Sequence, residues 1–412
     1  MIKSSLIYVL GNIINSALPL LLLPFLTRVL SPSEFGLIAI FQVCITMTTL
    51  FIGINASSYS SRSYFDRVDH TQCNNNILFI FLFLLMCFLI CLILWGDWFS
   101  YLLGLKVSWL YICILSGTFT LFYQLVLVQF QVRGQINRYV FLQTINVIFQ
   151  LTVTIYIVSE VSSTADGRVW SIFLSTILVG LISLYIAQYD RYIDFSRFKV
   201  DFSILKDIVK FGAPLLPHAI GVFIIANVDR IIIKEYLGDD SVGIYMAAFQ
   251  IGLGVNLIIN SLNKAYVPYL YEILDRNQYE EKLLLARNSI VAVFLLLILA
   301  IFLLFLGPYL TGLFLGDEYN SSSDLVGILI FANTINGIYL IYANYIFFSK
   351  KVVYLSYITI STGMLSVFLS ILLVDHFGLL GVAYSYLFSM LLKTILTSLV
   401  ARRLIPMPNF IL

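Results

Sequence analysis

The sequence predicts an all-α integral membrane protein, with twelve transmembrane helices in two pseudo-symmetric six-helix bundles around a central polar cavity. Three observations carry this. The 412-residue chain is 60% hydrophobic and only 11% charged, whereas a soluble domain is about a quarter charged, so lipid is its main solvent. A segment of the first half returns in the second. The apolar segments also carry amides at helical spacing.

Hydropathy places the spans at 5–27, 37–58, 77–96, 108–130, 139–158, 169–188, 211–233, 243–264, 288–306, 324–347, 353–374 and 379–401. The apolar runs at 77–95 and 290–307 are continuous, which suits helices and not the alternating segments of a β-barrel. The first span carries Pro19 and Pro24 and feeds directly into further spans, so it is expected to be an uncleaved first helix and not a signal peptide. Six spans lie on each side of the charged segment 189–210. The expected domains are therefore an N-terminal bundle at 1–188, a linker at 189–210 and a C-terminal bundle at 211–412.

Lysine and arginine are unevenly shared between alternate loops. One set holds Lys3, Arg62, Arg67, Arg133, Arg138, Arg191, Arg197, Lys199, Lys206, Lys210, Lys264, Arg276, Lys282, Arg287, Lys350, Lys351, Arg402 and Arg403. The other holds Arg28, Lys106, Arg168, Arg230 and Lys234. The split of 18 to 5 puts the linker and both termini in the cytoplasm.

The repeat is visible in VLSPSEFGLIAIFQV at 29–43 and NVDRIIIKEYLGDDSVGIYMAAFQI at 227–251. Leu30 and Gly36 match Leu237 and Gly243. Ala39, Phe41, Gln42 and Val43 match Ala247, Phe249, Gln250 and Ile251. The two glycines are 207 residues apart. Duplicated halves in a membrane protein usually frame a substrate path.

Polar stripes run along several spans. Gln42, Thr46 and Thr49 share a helix face, as do Gln124 and Gln131, and Gln143, Asn146, Gln150 and Thr154. In the second half the stripes are Asn256, Asn260 and Asn263; Asn333, Asn336 and Asn344; and Ser385, Ser389 and Lys393. One stripe alone suits helix–helix hydrogen bonding, but stripes recurring in both halves suit a shared aqueous cavity. Asn227, Arg230 and Lys234 share a face of the seventh helix, where Asp229 is a candidate ion-pair partner and the cations can instead snorkel outward. Lys393 lies about fifteen residues into the last span, too deep to snorkel easily. With Arg28, Arg133, Arg230, Lys234 and Lys264 it would make the cavity cationic. Pro214, Pro217 and His218 interrupt the seventh helix, and with Asp229 they are candidates for ion coupling or gating.

Several functions find no support. There is no GxxxxGK[ST] loop, no HExxH or GxSxG motif and no metal-ligand cluster, and no outer loop is long enough for a catalytic domain. The five cysteines show no ligand spacing and suit small apolar core positions. No enzyme activity, cofactor, metal or nucleic-acid partner is expected.

The segments NIINSALPLLLLPFLTRVLSPSEFGLIAIFQ and NVDRIIIKEYLGDDSVGIYMAAFQI resemble the Wzx-type polysaccharide repeat-unit flippases. The resemblance rests on Asp229, Arg230, Ile233, Leu237, Gly238, Val242, Gly243 and Tyr245 and extends over the chain. These flippases belong to the superfamily that includes the multidrug and toxin extrusion (MATE) transporters. The resemblance implies a MATE-like fold in the bacterial inner membrane, translocating undecaprenyl-diphosphate-linked oligosaccharide such as O-antigen units. Polysaccharide polymerase and chain-length proteins are its candidate partners. Arg28, Arg133, Arg230, Lys234, Lys264 and Lys393 would contact the pyrophosphate. Gln42, Gln124, Gln143, Asn146, Gln150, Asn256, Asn260, Asn333 and Asn336 would contact sugar. A cation-coupled drug exporter of the same fold, and a membrane O-antigen polymerase, stay open as alternatives.

Overall fold

The computed structural model describes residues 2–64 and 69–407, and the side chains of these except at 2–10, 12, 197 and 265. Arg67, counted above, lies outside the described residues. The described chain is helical almost throughout and contains no strand. The helices are α1 (Ile2–Val29), α2 (Pro32–Gly53), α3 (Ala56–Ser63), α4 (His70–Leu103), α5 (Val107–Val132), α6 (Ile136–Tyr156), α7 (Ala165–Tyr189), α8 (Phe202–Gly212), α9 (Leu216–Arg276), α10 (Tyr279–Phe305), α11 (Gly307–Phe314), α12 (Ser323–Phe348) and α13 (Val353–Leu404).

Nine helical segments among the described residues are long and apolar enough to cross a membrane, so the chain is a multi-pass membrane protein. Two are too long for one crossing. The segment Phe202–Arg276 has 75 residues and Val353–Leu404 has 52, against about 20 for a bilayer. Both are broken at glycines with positive φ, Gly238 (81°) and Gly378 (57°), so each is two helices joined by a sharp turn. A further break at Ala213–Leu215 is a 3₁₀ turn containing Pro214.

By packing, the chain forms two compact units, one of Leu37–Phe223 and one of Met1–Gly36 with Ile224–Leu412.

In the unit Leu37–Phe223, α5 is the core helix, buried along its length and packed against α7, α4 and α3. Helix α4 turns Phe83, Met86, Ile93 and Leu94 outward, as an apolar, uncharged span does when most of its faces meet lipid. The first turns of α4 hold the following linker. Asn74, Asn75 and Asn76 are each 1% exposed. The Asn74 amide donates to Tyr192 O (3.0 Å), and Asn75 donates to Asp194 O (3.1 Å) while accepting from Asp194 N (3.0 Å). Asn76 accepts from Asp201 N (2.8 Å). An asparagine carboxamide presents a donor and an acceptor, so it can replace a strand partner for an otherwise unpaired backbone. Asp201 then caps α8 by accepting from Ser203 N (2.8 Å). With Phe202 and Val209 exposed beside Lys206 and Lys210, α8 has the pattern of a helix lying in the membrane interface.

In the other unit, α12 is the buried centre, packed by α13, α10 and α11. Helix α10 exposes Phe294, Leu295, Ile298, Phe302 and Phe305, the counterpart of α4. The turn between α1 and α2 is set locally: Ser31 N donates to Glu34 Oε2 (3.2 Å) and Glu34 N to Ser31 Oγ (3.4 Å), a reciprocal capping box with Pro32 as the first helical residue. The two repeated glycines of the sequence meet here. A Cβ on Gly36 would lie 2.0 Å from Asp239 O, and one on Gly243 would lie 1.9 Å from Pro32 O. Only glycine at both positions lets the two backbones cross this closely.

Candidate functional site

The largest group of predicted site residues that the structure brings together lies where the second piece of α9 meets α12 and α13. Taking about 100° per residue, Asn260 and Asn263 fall within about 40° of Asn256 on the helix circumference. This face meets the asparagines of α12. Asn256 Nδ2 donates to Asn333 Oδ1 (3.2 Å), Asn260 Nδ2 to Asn256 Oδ1 (2.5 Å), and Asn336 Nδ2 to Asn256 Oδ1 (3.5 Å). Asn344 Nδ2 donates to Asn263 Oδ1 (2.7 Å). Lys393 of α13 ends the chain of bonds, its Nζ donating to Asn336 Oδ1 (2.8 Å) and standing 4.1 Å from the Tyr339 ring centroid.

Lys393 is 7% exposed, and no carboxylate pairs with it among the described residues. An ammonium buried without a counter-ion costs several kcal/mol of desolvation. The cation–π contact with Tyr339 offsets about 2 kcal/mol of that when desolvated, and the amide dipole offsets part of the rest. As an ammonium, Lys393 would hold a partly compensated positive charge, which an anion would complete.

Two hollows flank the asparagine face. On one side a cavity of about 320 Å³ is lined by Ile13 and Ser16 of α1 with Asn256, Asn260, Ser261 and Lys264 of α9. On the other, an apolar groove of about 300 Å³ runs between α9, α10 and α12, lined by Ile259, Asn263, Tyr266, Ala292, Leu296 and Gly337. One helix thus separates a hollow of mixed lining, which holds the asparagines and Lys264, from an almost wholly apolar one.

A second basic group lies in the first piece of α9. Arg230 is 5% exposed, donates to Asn227 Oδ1 (2.7 Å) and covers the Phe249 ring at 5.1 Å. Asp229, 8% exposed, accepts from the backbone N of Arg230 (2.8 Å) and forms no side-chain ion pair with it, because adjacent residues on a helix point about 100° apart. Lys234 pairs with Asp239 (2.7 Å). Arg28, in the last turn of α1, is exposed and donates to Pro24 O (3.3 Å), beside a polar hollow that also holds Glu34, Asp317 and Glu318.

The remaining candidates lie in the unit Leu37–Phe223. Arg133 caps the end of α5 with its guanidinium 4.5 Å from the Tyr192 ring centroid and 5.3 Å from that of Tyr64, and with Gln129 Oε1 at 3.5 Å. Burial raises the Tyr192 phenol above its ordinary pKa, with Asp190 adding to the effect; the neutral hydroxyl donates to Gln135 Oε1 (2.9 Å). Gln143 donates to Tyr139 Oη (3.3 Å) and Gln150 to Asn146 Oδ1 (3.3 Å), both within α6, while Thr154 at the end of the stripe bonds to Ser171 and Arg168 of α7. Gln42 is half-buried, Gln124 exposed, His218 half-buried, and Pro214 and Pro217 exposed at the break before α9.

Sequence reasoning missed three features. Tyr339, which faces Lys393, reads as an ordinary apolar aromatic. The run Asn74–Asn76 was a visible signal, since three amides open an otherwise apolar span. Arg168 looked like a loop cation because it sits at a span edge, yet it is 5% exposed.

Comparison with known proteins agrees with this architecture. The inward-facing structure of a multidrug-resistance MATE family transporter of the MOP superfamily superposes with TM-score 0.73, at 16% identity, over 97% of this chain and 94% of that one. A MOP superfamily transporter from Pyrococcus furiosus, described by a reversed polarity of its binding pocket, gives 0.67 at 16% identity over 98% and 95%. These likenesses establish a MATE-like fold. Among curated sequences, a putative O-antigen transporter of Shigella dysenteriae is 25% identical over 396 residues, 94% of this chain and 96% of that protein. The Lsg locus putative protein 1 of Haemophilus influenzae is 25% identical over 358 residues, 85% of each. The family model described as polysaccharide biosynthesis protein matches residues 1–274. With well over half its length matched, the chain belongs to the polysaccharide biosynthesis protein family.

Proposed function

We propose that the protein is a flippase that carries undecaprenyl-diphosphate-linked oligosaccharide, such as O-antigen repeat units, from the cytoplasmic to the periplasmic leaflet of the bacterial inner membrane. Family membership and the MATE-like fold support a membrane transporter. The observation that carries the substrate class is Lys393, a buried cation without a carboxylate at the end of an asparagine network. A pyrophosphate supplies the missing negative charge, and an oligosaccharide supplies hydroxyls for Asn256, Asn260, Asn333 and Asn336. The apolar groove beside Ala292 and Gly337 suits part of a polyprenyl tail, so polar head and apolar tail would use opposite flanks of one helix.

In this proposal the breaks at Gly238 and Gly378 divide two long helices into four spans. With α1 and the other seven long segments this makes twelve spans, with both termini cytoplasmic. Transport is alternating access between the halves 1–188 and 211–412, with Arg28, Arg230, Lys234 and Lys264 as further candidate headgroup contacts. A cation exporter of this fold would need unpaired acids in place of Lys393.

The test is Lys393→Met in cells whose surface polysaccharide depends on this protein. The expected result is loss of polymer with normal insertion. Normal polymer at equal protein level removes Lys393 from the mechanism.

A further inference from the structure

A second buried cation stands apart from this site, in the unit Leu37–Phe223. Arg168 lies in the first turn of α7, 5% exposed. Its guanidinium donates to two hydroxyls, Thr154 Oγ1 and, at 3.2 Å, Ser171 Oγ. Its Nε is buried with no partner. Asp166, two residues before it, is committed elsewhere, taking Lys106 Nζ at 2.5 Å and Trp109 Nε1 at 2.8 Å, and no carboxylate pairs with Arg168 among the described residues.

Each of these facts runs against stability. A buried charge with only neutral partners is costly. A helix N-terminus carries a partial positive charge, so a cation in the first turn is placed at the wrong end. The neighbouring segment is also irregular. Just after Thr154, α6 widens into a π-helical turn at Ile157–Val161, a departure that concentrates at functional sites. The chain then returns so tightly that a Cβ on Gly167 would lie 2.0 Å from Ser162 O. Thr154 is moreover the last member of the polar stripe Gln143, Asn146, Gln150 and Thr154, so Arg168 stands at the end of an amide row, as Lys393 does in the other unit.

We propose that Arg168, with Thr154 and Ser171, forms a second anion subsite that takes a phosphate group of the transported lipid at a step distinct from Lys393. The identity of the anion rests on the flippase function; the existence of the subsite does not. The Arg168 Nε–H is a buried donor without an acceptor, and a phosphate oxygen would supply one in a charge-assisted bond. Exposed Thr164, one turn before Arg168, puts the subsite near the membrane face that the charge split assigns to the periplasm, where a substrate would be released.

The test uses purified full-length protein, with inorganic pyrophosphate as probe and thermal unfolding as readout, beside flipping in proteoliposomes. Arg168→Met keeps the volume and removes the charge. It is expected to unfold at the same or a higher temperature than wild type, to keep only the part of the pyrophosphate-induced rise (about 3 °C in wild type near saturation) that the Lys393 site gives, and to flip at least about tenfold more slowly. Arg168→Lys, which keeps charge without the fork, is expected to fold and to show a smaller rise, and it decides the matter if the methionine variant does not fold. An Arg168→Met protein of lower stability with undiminished flipping overturns the proposal and makes Arg168 structural. So does an equal pyrophosphate shift in wild type and both variants, or no shift in wild type. An Arg168-dependent shift in a wild-type protein that moves no lipid-linked oligosaccharide would instead keep the subsite and refute the flippase.

Discussion

At the scale of single residues, the basic side chains separate into two kinds by what they touch. Lys393 has an amide and a ring face but no acid, so part of the cost of its charge is left for a ligand to offset. Replacing such a group by an apolar residue of similar size is often neutral or stabilising, so Lys393→Met is expected to unfold no earlier than wild type while losing transport, read by thermal unfolding and flipping on one preparation. Arg133 is the opposite case. Its guanidinium lies over two rings, those of Tyr64 and Tyr192, and Tyr192 belongs to the segment that Asn74 holds. Arg133→Ala should cost about 1–2 kcal/mol of stability and leave the rate per folded molecule near that of wild type. A normal unfolding temperature with abolished flipping would place Arg133 in the substrate path instead. The sequence marked both residues as cations near or within spans. It could not tell them apart, because the distinction lies in Tyr339, Tyr64 and Tyr192, aromatics whose partners become visible only when distant helices are packed.

At the scale of elements, the two copies of the repeated turn meet each other. The sequence made Gly36 and Gly243 legible as matching positions; what it could not show is that the space a Cβ on each would need is filled by a carbonyl of the other helix, that of Asp239 or of Pro32. Gly243→Ala must push Pro32 and Gly243 apart by more than an ångström, and a cost of about 1–3 kcal/mol is expected, measured as a fall in unfolding temperature. An unchanged temperature would mean the crossing is loose. The linker carries a second prediction. Its expected extent, 189–210, was visible from charge, but a charged linker reads as solvated chain. It is instead bonded along its length to Asn74, Asn75 and Asn76. Asn75→Ala strips partners from both backbone groups of Asp194, each loss costing about 1–3 kcal/mol if the group stays buried. The segment should therefore release, and limited proteolysis should cut between 190 and 201 at least several-fold faster than in wild type. Equal cutting rates would mean that the remaining asparagines suffice.

At the scale of the whole molecule, the fold class was the most legible property. Hydropathy, the repeat and continuous apolar runs all report on a chain that must bury or pair every backbone polar group in lipid, and helices are its one local solution. Helix breaks were less legible. Gly238 and Gly378 sit inside long apolar stretches and break them by adopting positive φ, which composition does not register. The site was legible as residue types and stripes, and the second half shows why. Asn256, Asn260, Asn333, Asn336 and Lys393 come together because three stripes on three helices face one another. On α6, Gln143 and Gln150 bond to residues of their own helix while Thr154 bonds across to α7, and only helix packing decides which outcome a polar residue of a stripe has. The most direct test is flipping of undecaprenyl-diphosphate-linked oligosaccharide by purified protein in proteoliposomes, comparing wild type with Lys393→Met at equal insertion. Transfer by wild type and at least about tenfold slower transfer by the variant is the expected result; equal rates, or no transfer by wild type alongside export of a cationic drug, would contradict it.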